Sequence, residues 1–304
     1  MDALIELSEN PIPNERFLIA GWRQWADAGN VSSALPQYLV DKIGARPVAR
    51  MQSDPFYLFQ IPGTQHLLRP EGKLQEGSLT DLVRKKNELF LSDAVPSLAI
   101  FLGDEPQVRV ERYAQAFFDL VKELNVKRVA AVGGVYAAVP YDKDRHISCT
   151  FSLPRMKQEL ADYAVQFSSY SGGATIGLYL IDRAEQLGVE FVDLYAMVPM
   201  YDFSVISPLV EPISIGSDYK AWYDVMRRLS YMFTLGLDLS ELEDKSRDLV
   251  DTVAAEIKGM EKKVPAAKVK EYFDKVNADF TETSFLPLDD VWQTGLKDIF
   301  KDTE

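Results

Sequence analysis

The sequence predicts an α/β fold: a mostly parallel, twisted sheet with helices on both faces and a helical extension at its C-terminal end. Three observations predict it. Short, continuous apolar runs such as Phe17-Leu18-Ile19-Ala20-Gly21-Trp22 lack the polar alternation of a half-exposed strand and fit strands buried on both faces. Segments with apolar residues three and four apart lie between these runs, as amphipathic helices require. The connections are short, and alternating β and α units joined this way give a parallel sheet through right-handed crossovers.

The elements follow in order. After the strand at 17–22 comes a polar turn, Ala26-Asp27-Ala28-Gly29-Asn30. Val31, Ala34, Leu35, Tyr38, Leu39 and Ile43 then take helical spacing. Pro36 fits only a first turn, so the regular helix begins near Ser32 or Ser33, and Gly44 stands where a glycine ends a helix. Residues 45–96 read as a β-rich insertion with strands at Pro47–Met51 and Phe56–Ile61, punctuated by Pro55, Pro62, Gly63, Pro70, Gly72 and Gly77. A buried-strand run at Ser97–Leu102 ends in Gly103-Asp104-Glu105-Pro106, and Val110 through Leu124 marks a helix face. Val129–Val132 is a strand that stops at Gly133-Gly134. A helix over Thr175–Ala184 then leads to a strand from Phe191 to Val198, which stops at Pro199. Beyond about Pro212 the pattern is helical. One helix carries Trp222, Val225, Met226, Leu229, Met232 and Phe233. A capping box at Ser240-Glu241-Leu242-Glu243 opens a second, charged helix with a thin stripe of Leu242, Ser246, Leu249, Val253, Ile257 and Met260. Pro265 breaks it, Val269, Tyr272, Phe273 and Val276 begin a third, and Phe285 to Glu304 look weakly packed. The reading is a core domain at 1–212, with its insertion at about 45–96, and a helical region at 213–304 packed on the core or on a neighbouring subunit.

Composition narrows the partners. Thirty-three basic against 46 acidic residues leave a net charge of −13, which repels phosphate backbones and anionic lipid. Neither nucleic acid nor a membrane is expected as a partner. The start carries no basic segment followed by an apolar one, and the nearly uncharged stretch at 129–140 is too short to span a bilayer. The single cysteine, Cys149, rules out an internal disulfide framework and fits a reducing, cytoplasmic setting.

In open parallel sheets ligands bind beyond the carboxyl ends of the strands. Four such ends supply Asp27 and Asn30; Glu105 and Gln107; Gly133 and Gly134; and Tyr201 after Pro199. These groups suit acid/base work or hydroxyl binding, and equally the ordinary task of ending strands and solvating loops. Trp22, Trp25, Tyr57, Tyr136, Tyr141 and Tyr201 sit near the same ends, as core, rim or pocket wall. Tyr170-Ser171-Gly172-Gly173-Ala174-Thr175 opens a helix and offers free N–H groups to an anion. The same residues also read as a plain helix start capped by Ser171. No Gly-Lys-Ser/Thr follows, and Gly177 is misspaced for a dinucleotide fingerprint. Familiar catalytic templates are missing. The only histidines are His66 and His146, there is no Gly-x-Ser-x-Gly elbow, and no zinc-binding pattern is present. If Ile147–Phe151 is a strand, His146 and Cys149 face opposite ways, which leaves Cys149 a structural residue. Asp142, Asp144 and His146 read as a polar loop rather than a cation site. No catalytic residue, metal or cofactor is assigned.

Several of these residues together carry a family resemblance. Gly21-Trp22, Asp27-Ala28-Gly29-Asn30, Arg69-Pro70, Gly103-Asp104-Glu105-Pro106-Gln107, Gly133-Gly134, Tyr170-Ser171-Gly172-Gly173 and Val198-Pro199-Met200-Tyr201 occur in the order seen in the proteasome assembly chaperone 2 family. The chain resembles the prokaryotic branch, over about residues 10–235. The resemblance implies a fold related to nucleoside phosphorylases and hydrolases and a homo-oligomer. In eukaryotic and some archaeal relatives it implies guidance of proteasome subunits during assembly. Prokaryotic members are often labelled ATP-grasp proteins, a nucleotide site these residues do not display. The chain also departs from the family. It ends Asp302-Thr303-Glu304 rather than in a hydrophobic-Tyr-any tripeptide, and Pro140–Arg145 lacks a His-Thr-Arg. Ser171 and Gly173 stand where relatives commonly carry Gly and Pro.

Two functions of different class follow. The first is a non-enzymatic binding or assembly protein that recognises itself and a protein client. The second is an enzyme or sensor for a phosphorylated or nucleoside-like small molecule at the strand ends, with Asp27, Asn30, Glu105, Gln107, Gly133, Gly134, Ser171, Gly172, Gly173 and Tyr201 as candidate ligand-binding residues. The first is favoured; the enzyme question stays open and leans to no.

Overall fold

The computed structural model describes residues 4–8, 14–60, 69–203, 212–263 and 269–285. Strands β1 (Ile5–Leu7) and β2 (Arg16–Arg23) lead through a 3-10 turn, Ala28–Asn30, into helix α1 (Ala34–Lys42). Strands β3 (Arg46–Met51), β4 (Glu71–Gln75), β5 (Ser78–Val83) and β6 (Glu88–Leu91) follow. Next come β7 (Leu98–Asp104), α2 (Val110–Glu123), β8 (Val126–Ala137), β9 (Ile147–Phe151), α3 (Lys157–Leu160), β10 (Gln166–Phe167), α4 (Ile176–Leu187) and β11 (Glu190–Tyr201). The chain continues through β12 (Ile213–Ser214), α5 (Tyr219–Met232), α6 (Ser240–Lys263) and α7 (Val269–Ala278).

Ten strands make one sheet in the order β1-β3-β6-β7-β2-β8-β11-β9-β10, with β12 on β11. At its centre β7, β2, β8 and β11 run parallel, which is the alternating core the sequence predicts. Antiparallel strands flank it: β6, β3 and β1 on one side, β9 on the other. The central runs are apolar throughout because each strand feeds two cores. Ile19, Ile100, Val132 and Leu194 pack with α1, α5, α6 and α7. Leu18, Phe101, Val129 and Phe191 pack with α2 and α4 on the opposite face. No helix among the described residues is long and apolar enough to cross a membrane.

Several boundaries differ from the sequence reading. Phe56 to Gln60 is turn and coil, not strand, and Ile61 lies outside the described residues. The backbone there finds its partners elsewhere: Gln107 and Val108 donate to Phe56 O, and Leu58 N–H donates to Gln107 Oε1 at 2.7 Å. β8 does not stop at Gly133-Gly134 but pairs with β11 as far as Ala137, and β11 does not stop at Pro199, since Met200 and Tyr201 pair with β12. The residue that caps α4 is Thr175, whose hydroxyl accepts the Leu178 N–H, not Ser171. The α6 helix starts at Ser240 itself, and Asp238 rather than a reciprocal box takes the Ser240 N–H at 2.9 Å. Its stripe of Leu242, Val253 and Ile257 is buried in the same apolar cluster as α5 and the sheet. Phe285 is buried there too, while the residues after it, together with His66 and Pro265, lie outside the described part.

A buried ionic network ties the loop before β9 to α5. Arg145 and Asp218 are both fully buried and paired twice, Nε to Oδ2 at 2.9 Å and Nη2 to Oδ1 at 3.3 Å. Arg145 Nη1 donates to the carbonyls of Pro140, Tyr141 and Lys143. The Asp218 carboxylate also caps α5 by accepting the Ala221 N–H. Asp144 is taken by Lys220 at 2.5 Å, so a side-chain ammonium occupies the cation position of that loop.

Candidate functional site

A cleft of about 590 Å³ opens beyond the parallel strands, over the carboxyl ends of β8 and β11 and the start of β9. Strand register lays out its floor in rows. Thr150 and Asp193 are partners, Gly133, Tyr195 and Ser148 form the next row, and Val135 pairs with Met197. Thr175 and Leu178 line it from the start of α4, and Trp25, Tyr136 and Tyr170 stand exposed at the mouth.

The glycines on this floor act by close approach. A Cβ at Gly133 would lie 2.4 Å from the Tyr195 ring, so its absence makes room for that side chain. At Gly134 a Cβ would lie 2.0 Å from Ala28 O, and the Gly134 N–H donates to Ala26 O at 3.1 Å. The turn after β2 therefore lies directly across β8. The same logic seats α4: a Cβ on Gly177 would sit 2.1 Å from Asp193 Oδ2.

Asp193 is the unusual group. It is 2% exposed, and its Oδ2 has no hydrogen-bond partner among the described residues. Burial pushes its carboxyl up to about 7, against the opposing pull of the Tyr195 hydroxyl. Tyr195 shares a 2.7 Å hydrogen bond with Thr175 Oγ1, and burial beside Asp193 drives its own pKa upward. Cys149, the neighbour of Thr150, is buried and pushed up to about 12, an unreactive thiol. His146 stacks on Phe280 and contacts Thr281 O, so the two form no dyad.

The residues singled out from sequence separate into groups. Gly134 and Gly173 line the cleft, and Gly133 lies beneath Tyr195. Glu105 clamps the rim: its carboxylate accepts the Ile176 N–H at 3.0 Å and the Trp25 N–H at 3.3 Å. The α4 N-terminus, offered to an anion by the sequence, thus already holds a carboxylate of its own chain. Asp27 accepts the N–H groups of Ser32 and Ser33, at 2.8 and 3.0 Å, ahead of α1. Asn30 donates to Ser217 and Gln107 serves Leu58. Tyr201 is buried against Phe273, with its hydroxyl on Val139 O. Ser171 and Gly172 are exposed on the loop, where Tyr170 folds back over Gly172. Asp193 and Tyr195 were not singled out. Their signal is a lone acid two residues from a tyrosine in an apolar strand, hence on the same face.

Comparison with known proteins places this geometry. Residues 21–257 match the PAC2 family. A PAC2 family protein from Streptomyces avermitilis is 20% identical, with a TM-score of 0.66 over 85% of this chain and 99% of that one. A proteasome-assembly chaperone homologue from Mycobacterium tuberculosis is 18% identical, with a TM-score of 0.66 over 79% and 94%. An archaeal proteasome activator from Pyrococcus furiosus is 16% identical, with a TM-score of 0.59 over 83% and 97%. At such identities the likeness is one of fold. No curated protein matches the chain. The family match runs from the end of β2 through the cleft and into α6, and on that span the chain belongs to the PAC2 family.

Proposed function

We propose that this chain is a non-enzymatic, protein-binding member of its family that works in the manner of an assembly chaperone, as a homo-oligomer holding a protein client in the cytoplasm. Family membership supports the general role, and the archaeal and mycobacterial structures of similar fold are a proteasome activator and a chaperone homologue. The observation that carries the reading is the β4-β5 hairpin. Among the described residues it pairs only with itself, and nearly every residue in it is exposed, including Leu74 at 70% and Leu79 at 59%. A lone two-stranded hairpin is marginal in water, and exposed apolar side chains grouped on one element suit a protein surface.

Native mass spectrometry of protein gently purified from its own cells tests this. The expected result is a fixed stoichiometry of this chain with a second protein, lost in a Leu74→Ser/Leu79→Ser double variant of unchanged thermal stability. A bare monomer for the unaltered chain would overturn the reading. The second reading, an enzyme or sensor of a phosphorylated or nucleoside-like molecule, draws support from the cleft's existence. The cleft's charge gives it none, since no Lys, Arg or His among the described residues lines the walls.

A further inference from the structure

The cleft's chemistry points to a ligand of a different kind. Its volume of about 590 Å³ lies within the range of small-molecule sites, and its walls are mainly apolar. The one charged side chain among its described lining is Asp193, whose Oδ2 lies unpartnered against Gly177 of α4. Ser148 and Thr150 place hydroxyls beside it on the floor. Trp25, 73% exposed, stands at the mouth with Tyr136 and Tyr170, and aromatic faces stack against flat rings. Among the described residues a phosphate finds no partner here, because the α4 N-terminus is occupied by Glu105 and no basic group lines the cleft.

We propose that the cleft binds a small, flat molecule carrying a protonated amine, the amine seated against the Asp193 carboxylate and the ring held among Trp25, Tyr136 and Tyr170. A buried carboxylate left unpaired is costly, and an ammonium relieves that cost while the apolar walls and mouth rings take up the rest of the molecule. The net charge of −13 favours the approach of a cation. This site is separate from the exposed hairpin and stands or falls without it.

The test is isothermal titration of the full chain with three indole probes of one shape: tryptamine, its neutral alcohol analogue tryptophol, and indole-3-acetate. Tryptamine should bind roughly tenfold more tightly than tryptophol, and indole-3-acetate should not bind. Asp193→Asn should weaken tryptamine by about tenfold, and Trp25→Ala, on an exposed side chain, by about fivefold. Binding to the unaltered protein should tighten from pH 6 to pH 8, as Asp193 ionises. Of the other titratable groups around it, Tyr195 on the same face and Cys149 on the opposite face are shifted upward, out of that window, and Glu105 sits at the rim held by two N–H groups. The Leu74→Ser/Leu79→Ser variant should bind tryptamine as the unaltered protein does. Equal binding of all three probes, binding of none, or full affinity in both site variants would overturn the proposal. Should Asp193→Asn fail to fold, Trp25→Ala and the probe order decide.

Discussion

Single residues set the cost of this architecture. Asp193 titrates near 7 in the folded chain against about 3.9 in an unfolded one, so between those values the native state holds the extra proton. Stability therefore falls as pH rises through that window and stays lower above it. Urea midpoints at pH 5 and pH 8 should show a loss on the order of 2–3 kcal/mol in the unaltered protein, absent in Asp193→Asn. Arg145 presents the opposite case, a charge fully met by its surroundings. Arg145→Met strands Asp218 with no salt-bridge partner in the core, and denaturant titration should record a loss of about 3–5 kcal/mol. Neither role was open to a reader of the sequence. The apolar run around Asp193 gives its strand, but whether a lone acid in it is paired or orphaned depends on how β9 and α4 pack against it, which spacing in the sequence does not show. The loop before β9 reads as polar and solvated, yet Arg145 within it is buried to 1%.

At the scale of elements the sequence was most legible where both faces are covered. Central strands and amphipathic helices announce themselves by period, and α1, α2, α5 and α6 fall where spacing puts them. The sequence misleads where glycine and proline read as stops. Gly133 and Gly134 continue β8 because a neighbouring ring and a crossing loop need their missing side chains, a reason that exists only in three dimensions. The rim of the cleft is one such meeting of distant parts, joined by Glu105. Glu105→Ala should free the α4 N-terminus and the turn at Trp25 together. The expected result is faster hydrogen exchange at Trp25 and Ile176 and a stability loss of about 1–2 kcal/mol, with the sheet core still protected.

The whole molecule is tied across residue 212. The α6 stripe of Leu242, Val253 and Ile257 belongs to the same buried cluster as Trp222, Leu229 and the sheet. Removing residues 237–304 should uncover that cluster, and the truncated chain should bind a hydrophobic dye and melt at lower temperature than the full one. Partner capture is better probed through the hairpin, whose side chains the core does not use. The sheet's outer strands carry a further consequence. β1 has three residues and β10 two, so each rim exposes only a few free backbone groups. A second copy arriving edge-on at either rim of this sheet would find almost nothing with which to zip itself into a continuous ribbon. The large sheet is thereby guarded against edge-to-edge growth, and strand addition to this chain falls to the β4-β5 hairpin, whose outer edges no other described strand covers.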